Sequence, residues 1–496
     1  MLDAIELEHK AAAVCAQIER NGFPFHTDRA AQLYAAIAAA RQDVEQELKE
    51  VFGFWFEPDA PGGDASRALV DPSRTIRYKD PGKIDRVVGQ PWTKVKVVHF
   101  NPNSRQHVVK RLKHIHGWEP EELTKGGEAK LDDEVLGKLD YPEAQKLAEY
   151  FMLQKRAGQI AEGDQAWLKL ERDGFIFGSV NPMGTVTYRA SHSWPNLGQV
   201  PGNKTPHGKE CRDCFGITPD VRKRWPNAVM VGTDKSGLEL RCLGHFMAIY
   251  DGGHYIEQLL GGDVHWMTVE AFEILTQGTA RDKHNALHEL LRDCAKTFIY
   301  GFLYGAGDLK VGRIILEYAL KEETLGIGTA IRRHFFKGKR GVGEGVLRKV
   351  GKTLKANFLA RLPALSKLID GDRGVKKRAK RGFLRGLDGR RIPIRYDHAA
   401  LNSLLQCAGA VLCKKWMVLL DEALRARGYV HGWNGDYVIV AWVHDELQLI
   451  CKNKEMRDEV AELSAECAAR AGEHFNFKCP LTADTSDCGE TWKDTH

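Results

Sequence analysis

The pattern of apolar and polar positions predicts a mostly helical chain with a few strands. Over residues 3–52, apolar residues recur at helical spacing and are interrupted once, at Asn21-Gly22-Phe23-Pro24. We therefore expect two helices there, the second from about Thr27 to Phe52. Residues 57–92 are rich in Pro, Gly, Asp and Arg and have only a weak period, which indicates an extended loop. Helical patterning returns at 104–116, 132–170, 264–370 and 398–426.

Two continuous apolar runs predict buried strands, and each ends at a carboxylate. Val229-Met-Val-Gly-Thr233 precedes Asp234, and Tyr437-Val-Ile-Val-Ala-Trp-Val443 precedes His444-Asp445-Glu446. Leu447-Gln-Leu-Ile450 then predicts the second strand of a hairpin. Taken singly, an acidic turn and an Asp before a helix have ordinary structural explanations. The two aspartates lie 211 positions apart (445 − 234), so only folding can bring them together.

A cationic helix face is predicted between the two carboxylates. In Arg292-x-x-x-Lys296-x-x-x-Tyr300-Gly301 the side chains are spaced by four residues, so each lies about 40° round the helix from the one before. Arg can grip two phosphate oxygens, and Lys is a point charge that can release a proton. A solvated basic face with a core tyrosine would give the same pattern. Combined with carboxylates that suit divalent ions, the face indicates nucleotidyl transfer.

Composition narrows the class of protein only slightly. A chain of 496 residues predicts roughly three domains. Its 43% hydrophobic and 28% charged residues are typical of a soluble globular protein. The net charge of +6 permits a polyanionic partner without requiring one. We find no signal peptide, no disulfide-like cysteine spacing and no apolar run of membrane-spanning length, so we expect a cytoplasmic protein without a membrane partner.

Three segments resemble motifs A, B and C of family A (polymerase I type) DNA polymerases. They are Asp234-Lys-Ser-Gly-Leu-Glu-Leu-Arg241, Arg292-x-x-x-Lys296-x-x-x-Tyr300-Gly301 with Tyr304-Gly305, and Val443-His-Asp-Glu446. The likeness is greatest to the replicative polymerases of short-tailed phages and extends from about residue 3 to Trp492. Further matches are Asn181-Pro-x-Gly184, Arg189-Ala-Ser191, Pro195-Asn-Leu197-x-Gln199-x-Pro201 and Ala399-Ala-Leu-Asn-Ser-Leu-Leu-Gln406.

The resemblance implies an α+β right-hand polymerase fold with an antiparallel-sheet palm, helical fingers and a helical thumb. The implied domains are 1–168 for the thumb and its base, with a loop excursion at 57–99; 169–246 for the first part of the palm; 247–401 for the fingers; and 402–496 for the second part of the palm. In the implied reaction, the enzyme adds dNTPs to a primer 3′ end as a DNA template directs, in phage genome replication.

The resemblance also implies a metal site and a nucleotide site. Asp234, Asp445 and the main-chain carbonyl of Lys235 would hold two Mg²⁺ ions, and the catalytic residues would be these two aspartates and Lys296, the proton donor to pyrophosphate. Glu239 would occupy the space of a ribose 2′-hydroxyl and so favour dNTPs over rNTPs. Tyr300 replaces a more common Phe and predicts acceptance of dideoxynucleotides. The full set of nucleotide-binding residues would be Glu239, His265, Arg292, Lys296 and Tyr300.

Five further side chains would contact the primer-template. Arg189, Gln406 and His444 would lie on the minor-groove side of the primer-terminal pair, where acceptors are similar for all correct pairs. Lys155 and Arg156 would follow the sugar-phosphate backbone, which makes affinity fall with salt.

Two alternatives remain beside the DNA polymerase. A single-subunit RNA polymerase shares the palm and the paired aspartates, but Glu239 argues against it. A catalytically silent primer-template binding protein is the other, and the intact Asp234, Asp445, Arg292 and Lys296 argue against that.

The chain departs from the family's pattern at several places. No Asp-x-Glu exonuclease segment precedes the thumb, so we expect no intrinsic 3′–5′ exonuclease. Either a separate polypeptide supplies that activity, or the chain is a truncation. The region 57–99 is shorter than the insertion that recruits thioredoxin in some phage relatives, which argues against a thioredoxin partner. The span from His265 to Arg292 is longer than in the nearest relatives. Tyr188 stands where relatives often have Gly.

Overall fold

The computed structural model describes residues 2–60, 62, 64–79, 83, 85–120, 123–124, 126–339 and 341–495. They form two compact units. The large unit consists of Met1–His26 and Leu170–His496, and the small unit of Thr27–Lys169.

The helices are, in chain order, α1 (Leu2–Asn21), α2 (Thr27–Phe52), α3 (Ala65–Ala68), α4 (Arg105–His116), α5 (Asp133–Leu136), α6 (Pro142–Ala157), α7 (Trp167–Leu170), α8 (Gly208–Asp213), α9 (Pro219–Arg224), α10 (Leu238–Asp251), α11 (His254–Gly261), α12 (Val264–Val269), α13 (Ala286–Leu303), α14 (Asp308–Thr324), α15 (Ala330–Phe336), α16 (Glu344–Arg361), α17 (Pro363–Asp370), α18 (Val375–Ala379), α19 (Ala400–Ala426) and α20 (Lys454–His474).

The strands are β1 (Phe23–Pro24), β2 (Phe54–Pro58), β3 (Leu69–Val70), β4 (Trp92–Thr93), β5 (Val95–His99), β6 (Glu171–Arg172), β7 (Phe175–Ile176), β8 (Ser179–Asn181), β9 (Ser191–Ser193), β10 (Val229–Lys235), β11 (Phe383–Arg385), β12 (Arg391–Pro393), β13 (Tyr437–Val443), β14 (Glu446–Cys451) and β15 (Ala483–Thr485).

The strongest sequence patterns predicted their elements correctly. The two N-terminal helices are confirmed as α1 and α2, and the two buried runs as β10 and the β13–β14 hairpin. The loop expected at 57–92 was incomplete as a prediction, because α3 and β3 lie within it and β4 begins at its last residue. Residues 61, 63, 80–82 and 84 of that segment lie outside the described residues.

An antiparallel sheet forms the centre of the large unit, with the strand order β13-β14-β10-β15 among the described residues. All six residues of β14 are buried, including two polar residues whose side chains are hydrogen-bonded: Glu446 accepts from Trp492 Nε1 at 2.9 Å, and Gln448 accepts from Thr495 Oγ1 at 2.7 Å. Helices α19 and α20 cover the face opposite Asp234. Hydrogen bonds tie these layers together: Thr233 Oγ1 lies 2.6 Å from Ser464 Oγ, and Trp416 Nε1 donates to the Ser464 carbonyl at 3.0 Å.

Helices α10–α18 lie in the chain between β10 and α19 and belong to the same unit. Helix α13 is amphipathic, with Leu291, Ala295 and Phe298 buried on one face. Helices α14 and α16 pack closely because Gly312 of α14 faces the backbone of α16. A Cβ on Gly312 would lie 2.1 Å from the Leu347 carbonyl oxygen, so no larger residue fits without a shift.

Helix α1 is attached to the large unit by a buried ion pair. Lys414 Nζ of α19 lies 2.7 Å from Glu8 Oε1 of α1, and the lysine side chain has no exposed surface. Residues 1–26 therefore pack with the large unit, whereas the thumb was predicted from residue 1. The predicted bounds of palm, fingers and thumb remain predictions.

The segment Asp397–Ala426, which contains α19, is long and apolar enough to span a membrane. Its mean hydropathy reaches 1.4, so the prediction that no apolar run reaches membrane-spanning length was wrong. In the structure 83% of this window is buried inside the protein. Its apolar character is therefore explained by its place in the core, since a helix that is buried all round is apolar all round.

The small unit contains α2 and α6 together with the two-stranded sheet β2–β5. One face of this sheet packs toward α4, where Lys110 lies 5.1 Å from the Trp55 ring and pairs with Glu57 at 2.6 Å. The opposite face exposes apolar side chains, including Phe54 and Phe56. The helix predicted at 104–116 is confirmed as α4.

Candidate active site

The two predicted aspartates lie at the same end of neighbouring strands. Asp234, the next-to-last residue of β10, is directly opposite Glu446, the first residue of β14. The tight turn before β14 contains Asp445, whose carbonyl accepts a hydrogen bond from the Lys235 amide at 3.3 Å. Neighbouring strands lie about 4.8 Å apart. The fold thus brings together two carboxylates that are distant in sequence.

Burial raises the pKa of Asp445 above its usual value, although His444 and Arg189 nearby act in the opposite direction. A carboxyl group with a raised pKa binds a divalent cation readily once it has lost its proton, because the ion replaces the missing solvent. Glu446, the next residue, has a structural role instead. It is buried and accepts a hydrogen bond from Trp492 Nε1 at 2.9 Å, which makes it part of the structural core.

The donor set suits Mg²⁺ better than zinc. The predicted donors are oxygen atoms only: the carboxylates of Asp234 and Asp445 and the carbonyl of Lys235. Within the described residues no group of three or more His, Cys, Asp and Glu side chains forms a complete metal cage. Mg²⁺ is commonly held by one or two carboxylates, with water and substrate phosphates as its other ligands. These residues therefore fit the predicted ion.

The side chain of Lys235 points away from these carboxylates, as alternation along a strand requires. Its Nζ donates to the Leu412 carbonyl of α19 at 3.1 Å and lies 5.2 Å from the Trp416 ring. Burial lowers the pKa of this amine. The lysine side chain thus fastens β10 to α19, which leaves only its main chain available to the metal site.

The cationic face of α13 is present, and an acidic residue holds its arginine. Arg292 Nε donates to Asp263 Oδ2 at 2.6 Å, and Arg281 donates to the same oxygen at 2.8 Å. This leaves the two terminal nitrogens of Arg292 for an anion. Asp263 also caps α12 by accepting from the Trp266 amide at 3.1 Å. Burial opposes its ionisation most strongly, but the hydrogen bonds from Arg292 and the Trp266 amide, with the charges of Arg292 and Arg281, together outweigh burial and lower the pKa of Asp263.

His265, on α12, lies close to this face despite the long span that separates it from Arg292. Burial lowers the pKa of His265, and the positive charges of Arg292 and Lys296 lower it further. Its Nδ1 is buried without a hydrogen-bond partner in the part of the chain that the structure describes. His265, Arg292 and Lys296, the three residues predicted to bind a triphosphate, are thus close enough for their charges to interact.

Tyr300 links the helix to the carboxylates. Burial raises the pKa of Tyr300, and the charges of Glu239 and Asp445 raise it further. The ring therefore lies within electrostatic reach of Glu239, the predicted sugar gate, and of Asp445, a predicted metal ligand. Lys296, one turn earlier, is exposed. The face runs from Arg292 past Lys296 to Tyr300, as its spacing predicts.

Glu239, in the first turn of α10, is held by two hydrogen bonds. Arg189 donates to Glu239 Oε1 at 3.0 Å, and the Tyr304 hydroxyl donates to the same oxygen at 2.7 Å. Burial raises the pKa of Tyr304, and its hydrogen bond to Glu239 raises it further. These bonds give the carboxylate one defined position.

The residues predicted to contact the primer end also gather on the large unit. Gln406 of α19 accepts a hydrogen bond at 3.2 Å from the Oγ1 of Thr187, which lies two residues before Arg189 in the chain. His444 is in the turn beside Asp445 with a φ of 60°. Its pKa is lowered by burial and by the charge of Arg189. Arg189 and His444 thus lie near Asp445, and Gln406 is joined to the segment that carries Arg189.

Lys155 and Arg156 lie on α6 of the small unit and differ in exposure. Lys155 is exposed, whereas Arg156 is buried and donates to Gln159 at 3.0 Å. Only Lys155 presents its charge to solvent, and a phosphate contact is therefore easier to reconcile with Lys155 than with Arg156.

Sequence reasoning missed two residues that support the site. Asp263 and Arg281 orient Arg292, and no motif marks them. The only signal available was an acidic residue placed before a short apolar helix, which is typical of any helix N-cap.

Comparison with known proteins identifies the family of this chain. The family model described as DNA polymerase family A matches residues 82–327 and 338–494. The DNA-directed DNA polymerase of Enterobacteria phage T3 is 39% identical over 545 aligned residues, covering 100% of this chain and 70% of that protein. That of Escherichia phage T7 is 39% identical over 547, with the same coverage.

The fold also matches a solved structure, the POL domain of Pol1 from M. smegmatis in complex with DNA primer-template and dNTP. The TM-score is 0.66 at 19% sequence identity, and the match covers 98% of this chain and 70% of that one.

A sheet that carries paired carboxylates beside a cationic helix, in this α+β architecture, defines a right-hand polymerase. The predicted fold class is confirmed. The chain belongs to DNA polymerase family A. Its enzyme class is DNA-directed DNA polymerase.

Proposed function

We propose that this chain extends the 3′ end of a DNA primer with dNTPs through a site that holds two Mg²⁺ ions. The observation that carries the proposal is the convergence of Asp234 and Asp445 at adjoining strand ends, tied by the hydrogen bond from Lys235 to the Asp445 carbonyl. When bound, the ions would lower the pKa of the primer hydroxyl and neutralise charge on the triphosphate and the leaving pyrophosphate.

The cationic face of α13 binds the triphosphate in this proposal. Arg292, fixed through Nε by Asp263, offers its two terminal nitrogens to phosphate oxygens as a fork. His265 adds a further contact from α12. Lys296, exposed one turn along the helix, carries the proton that it gives to the leaving pyrophosphate.

Sugar selection rests on Glu239 and Tyr300. Glu239, held by Arg189 and Tyr304, occupies the space of a ribose 2′-hydroxyl and so excludes rNTPs. The hydroxyl of Tyr300 replaces the contact that a dideoxynucleotide lacks, so the enzyme accepts such chain terminators.

The primer terminus is checked by side chains that read shape rather than sequence. Arg189, Gln406 and His444 contact minor-groove acceptors, which correct base pairs present at similar positions. Lys155 of the small unit contacts backbone phosphates, and Arg156 supports the helix that carries it. Because such contacts release counterions, DNA affinity falls as salt rises.

The relatives support a biological setting for this proposal. Both phage proteins named above are DNA-directed DNA polymerases. We therefore place this enzyme in bacteriophage genome replication, in the cytoplasm of a bacterial host.

Primer extension on one primed template tests the proposal. The purified chain is given dNTPs or rNTPs, with Mg²⁺ or with a chelator, and DNA binding is measured in parallel. Extension with dNTPs and Mg²⁺ alone supports the proposal. Equal use of rNTPs would favour an RNA polymerase, and binding without any extension would favour a silent primer-template binding protein.

A further inference from the structure

One residue near the site, Tyr188, has a backbone conformation that its side chain disfavours. Its φ is 61°, in the left-handed region, which bulky residues rarely adopt. Such strain persists where the surrounding structure over-determines it, and it clusters at functional sites. The residue lies in the turn between β8 and β9, one position before Arg189.

The contacts of Tyr188 explain how this conformation is held. Its hydroxyl donates to the Arg391 carbonyl at 2.7 Å, and the Arg390 guanidinium lies over its ring at 4.7 Å. Both partners belong to the β11–β12 hairpin: Arg391 begins β12, and Arg390 precedes it. The ring is thus clamped against a segment more than 200 positions away in the chain.

The clamp itself is rigid because Arg390 is anchored by buried charges. Arg390 Nε donates to Asp388 Oδ2 at 2.7 Å, and its Nη1 pairs with Glu8 of α1. Glu8 in turn pairs with buried Lys414 at 2.7 Å. Removing any one partner would leave a buried charge uncompensated, so the network holds the hairpin in place.

The left-handed turn at Tyr188 sends consecutive side chains to different partners. Tyr188 reaches the hairpin, while Arg189 reaches Glu239 at 3.0 Å. The Tyr304 hydroxyl at the end of α13 completes the chain with its bond to Glu239 at 2.7 Å. A continuous series of contacts therefore joins the hairpin to the residue that selects the sugar.

We propose that Tyr188 is a positioning residue for sugar selection, which fixes Arg189 and through it the carboxylate of Glu239. The inference rests on the proposed role of Glu239 as the gate against the 2′-hydroxyl. A loosened Tyr188 lets Arg189 and Glu239 move, and a mobile carboxylate admits a ribose more readily than a fixed one.

The test compares Tyr188→Phe and Tyr188→Gly by single-nucleotide primer extension. For each variant, kcat/KM is measured for a dNTP and for the rNTP with the same base. Tyr188→Phe keeps the ring and loses the bond to Arg391, so discrimination should fall by up to about fivefold, the factor that one net hydrogen bond contributes. Tyr188→Gly removes ring and strain together, so discrimination should fall further.

The ratio separates a positioning role from a purely structural one. A partly misfolded variant would have a lower kcat/KM for both nucleotides and an unchanged ratio between them. A positioning role predicts instead that kcat/KM for the rNTP rises relative to that for the dNTP. Tyr396→Phe is the matched control, because it removes one phenol oxygen from an exposed ring stacked on His398. An unchanged ratio in both Tyr188 variants would overturn the proposal.

Glu239→Ala distinguishes failure of this inference from failure of the gate itself. If Glu239→Ala leaves discrimination unchanged, Glu239 is not the gate. If it lowers discrimination and the Tyr188 variants do not, only the role of Tyr188 fails. The double variant Tyr188→Gly/Glu239→Ala should discriminate no worse than Glu239→Ala alone, because both changes act through one carboxylate. If the double variant instead loses discrimination by the full effects of both single changes, Tyr188 does not act through Glu239.

Discussion

Replacing Asp263 by Asn should weaken dNTP binding although this residue touches no substrate in the proposed complex. Asp263 Oδ2 accepts from Arg292 Nε at 2.6 Å and from Arg281 at 2.8 Å, while its other oxygen caps α12. The lowered pKa of Asp263 means that it is ionised at neutral pH. Asn keeps the shape and one acceptor, so the cap survives, but an amide group then faces the Arg292 Nε–H.

The size of the effect follows from exposure. A hydrogen bond to a charged group contributes about 1.5–3 kcal/mol when it is well shielded from water. Here the side chains of Asp263 and Arg292 are 25% and 28% exposed, so solvent screening favours the lower end of that range. About 1.4 kcal/mol corresponds to a factor of ten. We therefore expect KM for dNTP to rise about tenfold, with a smaller change in kcat.

Steady-state single-nucleotide insertion measures both constants. Glu289→Gln is the matched control because it makes the same change of charge. Glu289 pairs with Arg281 at 2.7 Å, and no hydrogen bond joins it to Arg292 among the described residues. Its KM should stay within about twofold of the parent. The reasoning is refuted if Asp263→Asn leaves KM unchanged, or if Glu289→Gln raises it equally.

Three further changes test other parts of the molecule. Asp445→Asn should reduce primer extension to background while DNA affinity stays near that of the parent, whereas exposed Asp458→Asn should affect neither. Tyr300→Phe should lower kcat/KM for a dideoxynucleotide relative to the dNTP by about fivefold, and an unchanged ratio would contradict its role. Burial of Asp421 opposes its ionisation, but hydrogen bonds from His431, Arg425 and Tyr437 hold its pKa at about 2, below its unfolded value. The ionised carboxylate therefore stabilises the fold above about pH 4, and this contribution to the free energy of unfolding is lost as the pH falls toward 2. Asp421→Asn should therefore lower the free energy of unfolding at pH 7 by about 2 kcal/mol and flatten its pH dependence in that range, as urea titration at several pH values would show.

Local sequence patterns were sufficient for several elements of the fold. The break at 21–24 between α1 and α2, strand β10 and the β13–β14 hairpin all follow from hydrophobic periodicity and turn residues. Periodicity was weakest in 57–92, where the short elements α3, β3 and β4 were missed. Elements of two to four residues contain too few positions to establish a period.

The motifs were likewise sufficient to name the residues that carry chemistry. Asp234, Asp445 and the face from Arg292 to Tyr300 were found from spacing and residue type, because metal binding and phosphate binding demand particular side chains. The support around them could not be found in this way. Nothing in the sequence pairs Asp263 with Arg292 or Arg189 with Glu239, since any acid and any base are chemically compatible partners.

The sequence by itself thus determined the helices and strands with strong periods, the family resemblance and the candidate catalytic side chains, because these depend on nearby residues or on residue identity. Only the tertiary structure decided which distant groups meet. It placed Asp234 beside the Asp445 turn, attached α1 to α19 through buried Glu8 and Lys414, and clamped Tyr188 under Arg390. Such contacts depend on the packing of whole elements, and no local pattern of residues encodes that packing.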